Sequence, residues 1–137
     1  MTEPTIKKLL SETRTIAVVG ISSRPERAGQ YVPAYLQRHG YQIIPVNPYL
    51  DEALGQKSYA SLGDIPGAVD LVLIFQRSEK VPPFVDEAIA IGAKAVWMQS
   101  GISNETAAAK ARTAGLDVVQ DRCMMVELRR HNEMQTS

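Results

Sequence analysis

Gly20 and Gly29 enclose a polar, basic stretch that follows directly on a run of valines: "VVGISSRPERAG". Each residue type in it can serve a phosphate. Gly20 permits a tight turn, Ser22 and Ser23 bring hydroxyls next to backbone N–H groups, and a helix opening after the loop favours negative charge through its unpaired N–H groups and dipole. Arg24 and Arg27 add guanidinium groups that grip phosphate in two places. The competing reading is an exposed loop of solvated arginines. The coincidence of turn, helix start and paired cations favours the phosphate.

The same loop excludes two familiar nucleotide sites. After Gly20 the next glycine is Gly29, so the three-glycine dinucleotide spacing is missing, and no Gly-Lys-Ser/Thr follows to make a Walker loop. The second apolar run ends in "VNPY" and not in the acidic residue that would hold a ribose diol; Asp51 comes later, in a loop. In "VNPY", Asn47 offers an amide to a base or ribose, Pro48 fixes the backbone and Tyr49 can stack on a purine, although turn chemistry alone explains all three. "QSGI" places Gly101 where backbone can approach a ligand, or where an ordinary turn enters a helix.

Catalytic constellations are scarce. Cys123 has no histidine near it in sequence, and a single cysteine is more often a small buried apolar residue than a nucleophile. His39 falls at a helix end and His131 in a terminal segment, a poor metal or acid–base pair. Asp51-Glu52 and Asp86-Glu87 are neighbours whose side chains diverge into solvent. Trp97 lies inside a strand run and reads as core.

The elements that must position these loops alternate. "TIAVVG" (15–20), "YQIIPV" (41–46), "VDLVLIF" (69–75), "AKAVWM" (93–98) and "LDVV" (116–119) are short, continuous and rich in branched residues, the mark of strands buried on both faces. Helical segments at 29–39, 82–91 and 104–114 each stop at a glycine, Gly40, Gly92 and Gly115, with Pro82 and Pro83 in a first turn and Ser103 or Asn104 as a cap. Ile6, Leu9 and Leu10 predict a further amphipathic helix, and one or two helical turns are expected near Ser61 to Ile65. The expectation is an α/β fold: a Rossmann-like, doubly wound three-layer sandwich on a five-stranded parallel sheet in the order 3-2-1-4-5. Residues 1–14 form a helix packed on the domain, 15–130 the domain, and 131–137 a flexible tail. Ligands of such sheets bind outside the carboxyl ends of the strands. There the loops at 20–29, 47–49, 76–82, 99–102 and 120–124 converge.

The chain's 137 residues suit one core. Fifteen basic and fifteen acidic residues cancel, removing the field that draws proteins to nucleic acid or anionic membranes, so an anionic ligand must be held locally. One cysteine excludes an internal disulfide and suits the cytoplasm; no apolar run approaches the about 18 residues of a membrane span, and "MTEPTIKKLLSE" lacks a signal peptide's apolar core.

With the loops in view, the sequence resembles the small stand-alone CoA-binding domain proteins, the YccU-like family, which are similar to the N-terminal domain of the succinyl-CoA synthetase α subunit. The likeness is carried by "IAVVGISSRPERAGQYVPAYLQRHGYQIIPVNP", "YASLGDIPGAVDLVLIF", "AKAVWMQSGISNETAAAKARTAGLDVV" and "DRCMMVE". It implies a domain that holds coenzyme A. Gly20, Ile21, Ser22, Ser23, Arg24 and Pro25 would meet the pyrophosphate, with Arg27 beside them, and Asn47, Pro48 and Tyr49 would lie by the adenosine. Phe75, Gln76, Arg77 and Ser78, with Met98, Gln99, Ser100 and Gly101, would line the remainder. The synthetase loop looks like Gly-x-Thr-Gly with a glutamine where this chain has "GISSRP", and the synthetase's lysine after the second strand has no counterpart; Arg24 or Arg27 stands in for it. The synthetase's phosphorylated histidine comes from a second domain, so synthetase activity is not implied. The resulting expectation is a non-catalytic protein binding CoA or acyl-CoA, with another protein subunit as a further partner. An NAD-binding enzyme, or a CoA-thioester enzyme using Cys123, is the alternative.

Overall fold

The computed structural model describes residues 2–136. Met1 and Ser137, the outer ends of the expected helical and tail segments, lie outside the described residues. The elements run α1 (Thr2–Glu12), β1 (Thr15–Val19), α2 (Ala28–Arg38), β2 (Gln42–Val46), β3 (Glu52–Ala53), β4 (Gln56–Lys57), β5 (Leu71–Ile74), α3 (Val81–Ala90), β6 (Ala95–Met98), α4 (Glu105–Thr113), β7 (Asp117–Val119) and α5 (Met124–Thr136), with short 3-10 turns at Leu62–Asp64 and Ser78–Lys80.

Five strands form one parallel sheet in the order β2-β1-β5-β6-β7. Side chains alternate across it as the pleat demands. Ile16, Val18, Leu71, Leu73, Ala95 and Trp97 face α1, α2 and α5, where they meet Leu9, Leu36 and Leu128. Ala17, Val19, Val72, Ile74, Val96 and Met98 face α3 and α4, where they meet Val85, Ala88 and Ala108. The three-layer α/β sandwich is thus as the alternating pattern implies, and Trp97 is fully buried with its indole N–H on the Arg122 carbonyl at 2.8 Å.

The strand order needs correction. Counting only the five sheet strands, it is 2-1-3-4-5 and not 3-2-1-4-5: the third strand (β5) pairs with β1 and leaves β2 at the edge. Pro45 supplies the reason. It lacks an N–H, and a proline inside a strand belongs on an edge. Its carbonyl points outward and accepts the Tyr59 N–H at 3.0 Å, while Asn47 N–H returns to Tyr59 O at 2.9 Å. β5, buried at every position, takes the central place.

Three further differences concern local structure. The loop after β2 contains the antiparallel β3–β4 hairpin, turned through Leu54 and Gly55 at φ of 52° and 75°. The expected helical turn shrinks to the 3-10 turn at Leu62–Asp64. The segment expected as a tail from His131 is helical as far as Thr136, because α5 lays Met124 and Leu128 into the core beside α1 and α2. Elsewhere the helices stop where expected, Gly40, Gly92 and Gly115 all having positive φ, and Asn104 caps α4 by accepting the Ala107 N–H at 3.0 Å.

Candidate functional site

The loop after β1 is built around two glycines and a proline. Gly20 has φ +83°, and a Cβ there would run into the Phe75 carbonyl and lie 3.2 Å from Gln76 Nε2, so no other residue fits between the ends of β1 and β5. Gly29 is tight, though less so, from the other side: its Cβ would lie 3.1 Å from the Gly20 carbonyl. Pro33 sits inside α2, four residues beyond Gly29, and cannot supply the N–H that the Gly29 carbonyl would receive in a regular helix. Ser22 N–H fills the vacancy at 3.0 Å and so ties the loop to the helix.

That tie consumes little of the loop's donor capacity. Ile21 is fully buried as an anchor, and its carbonyl accepts Asn47 Nδ2 at 2.8 Å. Ser22 Oγ accepts the Arg24 N–H at 3.0 Å. Ser23, Arg24, Pro25 and Arg27 are exposed. Arg27 occupies the N-cap of α2 with extended backbone and no side-chain cap bond, leaving the helix's first-turn N–H groups uncapped. Arg24 leans on Glu26 at 3.3 Å. Arg27 and Arg77 form no ion pair among the described residues.

Beside the loop a groove of about 510 Å³ opens at the carboxyl ends of β5 and β6. Ala28 and Tyr31 of α2 form one wall, Phe75, Gln76 and Arg77 the floor, Gln99, Ser100 and Ile102 the far side, and Cys123, Met125 and Val126 at the start of α5 the other wall. The order 2-1-3-4-5 explains its place. The chain leaves β1 toward one flank of the sheet and later returns on the other, and the β1 and β5 exits diverge at that switch point.

The expected residues divide. Phe75, Gln76, Arg77, Gln99 and Ser100 line the groove. Met98 does not: its side chain is fully buried among the α3 and α4 contacts. Ser78 is committed to the start of α4, its hydroxyl accepting the Ser103 N–H and its carbonyl the Asn104 amide, each at 3.0 Å. Gly101 donates its N–H to Asp121 Oδ1 at 2.6 Å. Asn47 bridges the β1 and β2 exits, its Oδ1 accepting the Tyr49 N–H at 2.8 Å, so its amide is part of the scaffold. Pro48 is exposed, and Tyr49 is 92% exposed on the outer side of that turn. Sequence reasoning missed Tyr31, Met125 and Val126 as groove residues, while Ala28 and Ile102 fall inside loops it expected at the crevice without being named as contacts. Tyr31 follows Arg27 by one helical turn and Met125 opens a helix, so the signal for both was helical register.

Polar groups in the groove are few and chosen. Gln99 is only 4% exposed; its Oε1 accepts the Met124 N–H at 3.3 Å and so caps α5. Among the described residues no group of three His, Cys, Asp or Glu side chains stands ready for a metal ion. A second groove of about 540 Å³ runs between α1 and α5, away from the strand ends. Its buried Glu127 is held by Arg122 at 3.7 Å and Arg130 at 3.6 Å. No helix among the described residues is long and apolar enough to cross a membrane.

Comparison with known proteins finds relatives over most of the chain. The family described as "CoA binding domain" matches residues 14–129. The Bacillus subtilis (strain 168) protein YneT is 43% identical over 121 residues, 88% of this chain and 90% of its own length. The acetate–CoA ligase (ADP-forming) II of Archaeoglobus fulgidus is 36% identical over 95 residues, 67% of this chain but 14% of the ligase. A solved structure of a protein from Pyrococcus horikoshii OT3 superposes with a TM-score of 0.92 at 42% identity, covering 96% of this chain and 93% of that one.

Proposed function

Since the chain belongs to the CoA binding domain family, we propose that it is a non-catalytic protein that binds coenzyme A or an acyl-CoA in the strand-end groove. The observation that carries the reading is the α2 start: Arg27 supplies no side-chain cap there, and Ala28 of its first turn lines the same groove as Arg77, which forms no ion pair among the described residues, in a molecule of zero formal net charge. Such donors suit a pyrophosphate, which a helix N-terminus attracts without a countercharge. From there the apolar side chains of Phe75, Tyr31, Met125 and Val126 offer a path for a pantetheine arm. Arg24, tied to Glu26, is a secondary contact. The ligase relative is named for coenzyme A chemistry, and this chain matches only a small share of it, so binding is what the shared segment would bring. The lone cysteine suits a reducing cytoplasm.

Isothermal titration of the protein with coenzyme A, dephospho-CoA, NAD and ATP tests the reading. Coenzyme A is expected to bind, with NAD at least about tenfold weaker, a difference of about 1.4 kcal/mol. Absence of heat with coenzyme A at about 1 mM ligand, a concentration that detects even the weakest useful affinity, overturns it.

A further inference from the structure

The groove contains one thiol, and both of its chain neighbours are pinned. Cys123 is half-buried and lines the groove wall. On one side of it, the Arg122 carbonyl accepts the Trp97 indole N–H at 2.8 Å and the Arg122 N–H reaches the Met98 carbonyl at 3.4 Å. On the other, the Met124 N–H is held by Gln99 Oε1. The turn before it is fixed as well, with Asp121 at φ +56° and its carboxylate on the Gly101 N–H.

Gln99 is the independent sign that this part of the groove takes a ligand. The Met124 N–H can only be met by the amide oxygen, which settles which end of the side chain is which. Nε2 then has no hydrogen-bond partner among the described residues, although the residue is 4% exposed. No described side-chain nitrogen or oxygen is sealed in without a partner, so Nε2 opens into the groove that Gln99 lines.

We propose that Cys123 forms a mixed disulfide with the pantetheine thiol of coenzyme A held in this groove, an inference that rests on the coenzyme reading above. A pyrophosphate at the start of α2 sends the arm along Tyr31 and Phe75 toward the start of α5, where the arm's sulfur meets Cys123 and its nearby amide meets Gln99 Nε2. The co-reactant is coenzyme A disulfide. The Cys123 thiolate attacks one of its sulfurs, the S–S bond of the reagent breaks, a Cys123–S–S–CoA bond forms, and the departing coenzyme A thiolate takes up a proton. Two electrons' worth of oxidation passes from one disulfide to the other. No His, Asp, Glu or Lys lines the groove, and exchange needs none, whereas hydrolysis of a thioester would call on a base.

The test is intact-mass and peptide mass spectrometry of reduced, desalted protein treated with coenzyme A disulfide or with cystamine, a small disulfide without the nucleotide. The account expects a single coenzyme A adduct on Cys123, absent from Cys123→Ser, formed at least about tenfold faster than the cystamine adduct because binding places the sulfur. Desulfo-coenzyme A should slow it by competition. No adduct, or equal rates with the two disulfides, overturns the proposal. A parallel calorimetric titration of the wild-type protein with coenzyme A under reducing conditions separates the two readings. Heat without an adduct leaves groove binding standing and removes Cys123 from it; no heat removes both, since any adduct is then undirected exchange.

Discussion

The two ends of the sheet treat their polar groups in opposite ways. At the amino end Asp70 accepts the Arg14 and Thr15 N–H groups at 3.0 Å each and pairs with Lys94 at 3.7 Å, while its carbonyl takes the N–H groups of Lys94 and Ala95. Lys8 reaches Asp117 at 2.9 Å across the same end. These donors have acceptors and these charges have partners. At the carboxyl end Asn47, Ser78 and Asp121 are likewise committed, but α2 begins without a side-chain cap, and among the described residues Arg27 and Arg77 form no ion pair and Gln99 Nε2 has no partner. The groups named at the first end are committed to the fold; these last ones at the second are available to something else. The contrast supports the proposed binding site by chemistry rather than by cavity size, since the larger α1–α5 groove has its buried carboxylate held by Arg122 and Arg130.

Substitutions sharpen that contrast. The largest effect is expected from Gly20→Ala, which puts a Cβ against the Phe75 carbonyl at a positive φ; urea unfolding should show a loss of about 2 to 4 kcal/mol, with coenzyme binding lost alongside. Asp70→Ala should cost about 1 to 3 kcal/mol by leaving two N–H groups unsatisfied, yet leave coenzyme affinity unchanged. Its pH dependence has a definite sign. Burial pushes the Asp70 carboxyl up, but the Arg14 and Thr15 N–H groups and Lys94 outweigh it and hold the value below the ordinary one. The unfolded chain therefore binds the proton more readily. The Asp70 contribution is complete above the unfolded value of about 3.9 and fades as pH falls through the lower folded value, and Asp70→Asn should remove that acid limb from a stability–pH curve.

Smaller effects follow at the carboxyl end. Arg27→Ala and Arg77→Ala should each weaken coenzyme A binding by about 1 to 2 kcal/mol in calorimetry while leaving the unfolding midpoint unmoved. Arg24→Ala should change affinity by less than about 1 kcal/mol, its guanidinium being shared with Glu26 in a surface pair screened by solvent and salt. If Arg24 proves the stronger of the three, the opening faces the loop tip rather than the groove.

Much of this was legible in residue order because buried strands and glycine-ended helices each leave a local pattern. The strands from Thr15 to Val119 and the loop from Gly20 to Gly29 are of that kind. Sheet order is not local. It turned on a single residue, Pro45, whose meaning as an edge marker is lost when "YQIIPV" is read as one continuous apolar run. The β3–β4 hairpin escaped because its turn is Leu54-Gly55; leucine rarely accepts positive φ, and the usual Asn-Gly or Asp-Gly cue is missing. The groove was half visible. Phe75, Gln76, Arg77, Gln99 and Ser100 sit directly after strands, whereas Tyr31, Met125 and Val126 arrive through helical register in α2 and α5. Asn47 shows the reverse error: its type suits a ligand, but its amide holds two loops together.

Amide chemical shifts followed during a coenzyme A titration put the contrast between the two ends to the most direct test. The account predicts perturbations concentrated at residues 20–31, 75–77, 99–102 and 121–126, with Arg14, Thr15, Asp70 and Lys94 unmoved. Shifts centred on the amino end or on the α1–α5 groove, or a spectrum that does not respond, would contradict it.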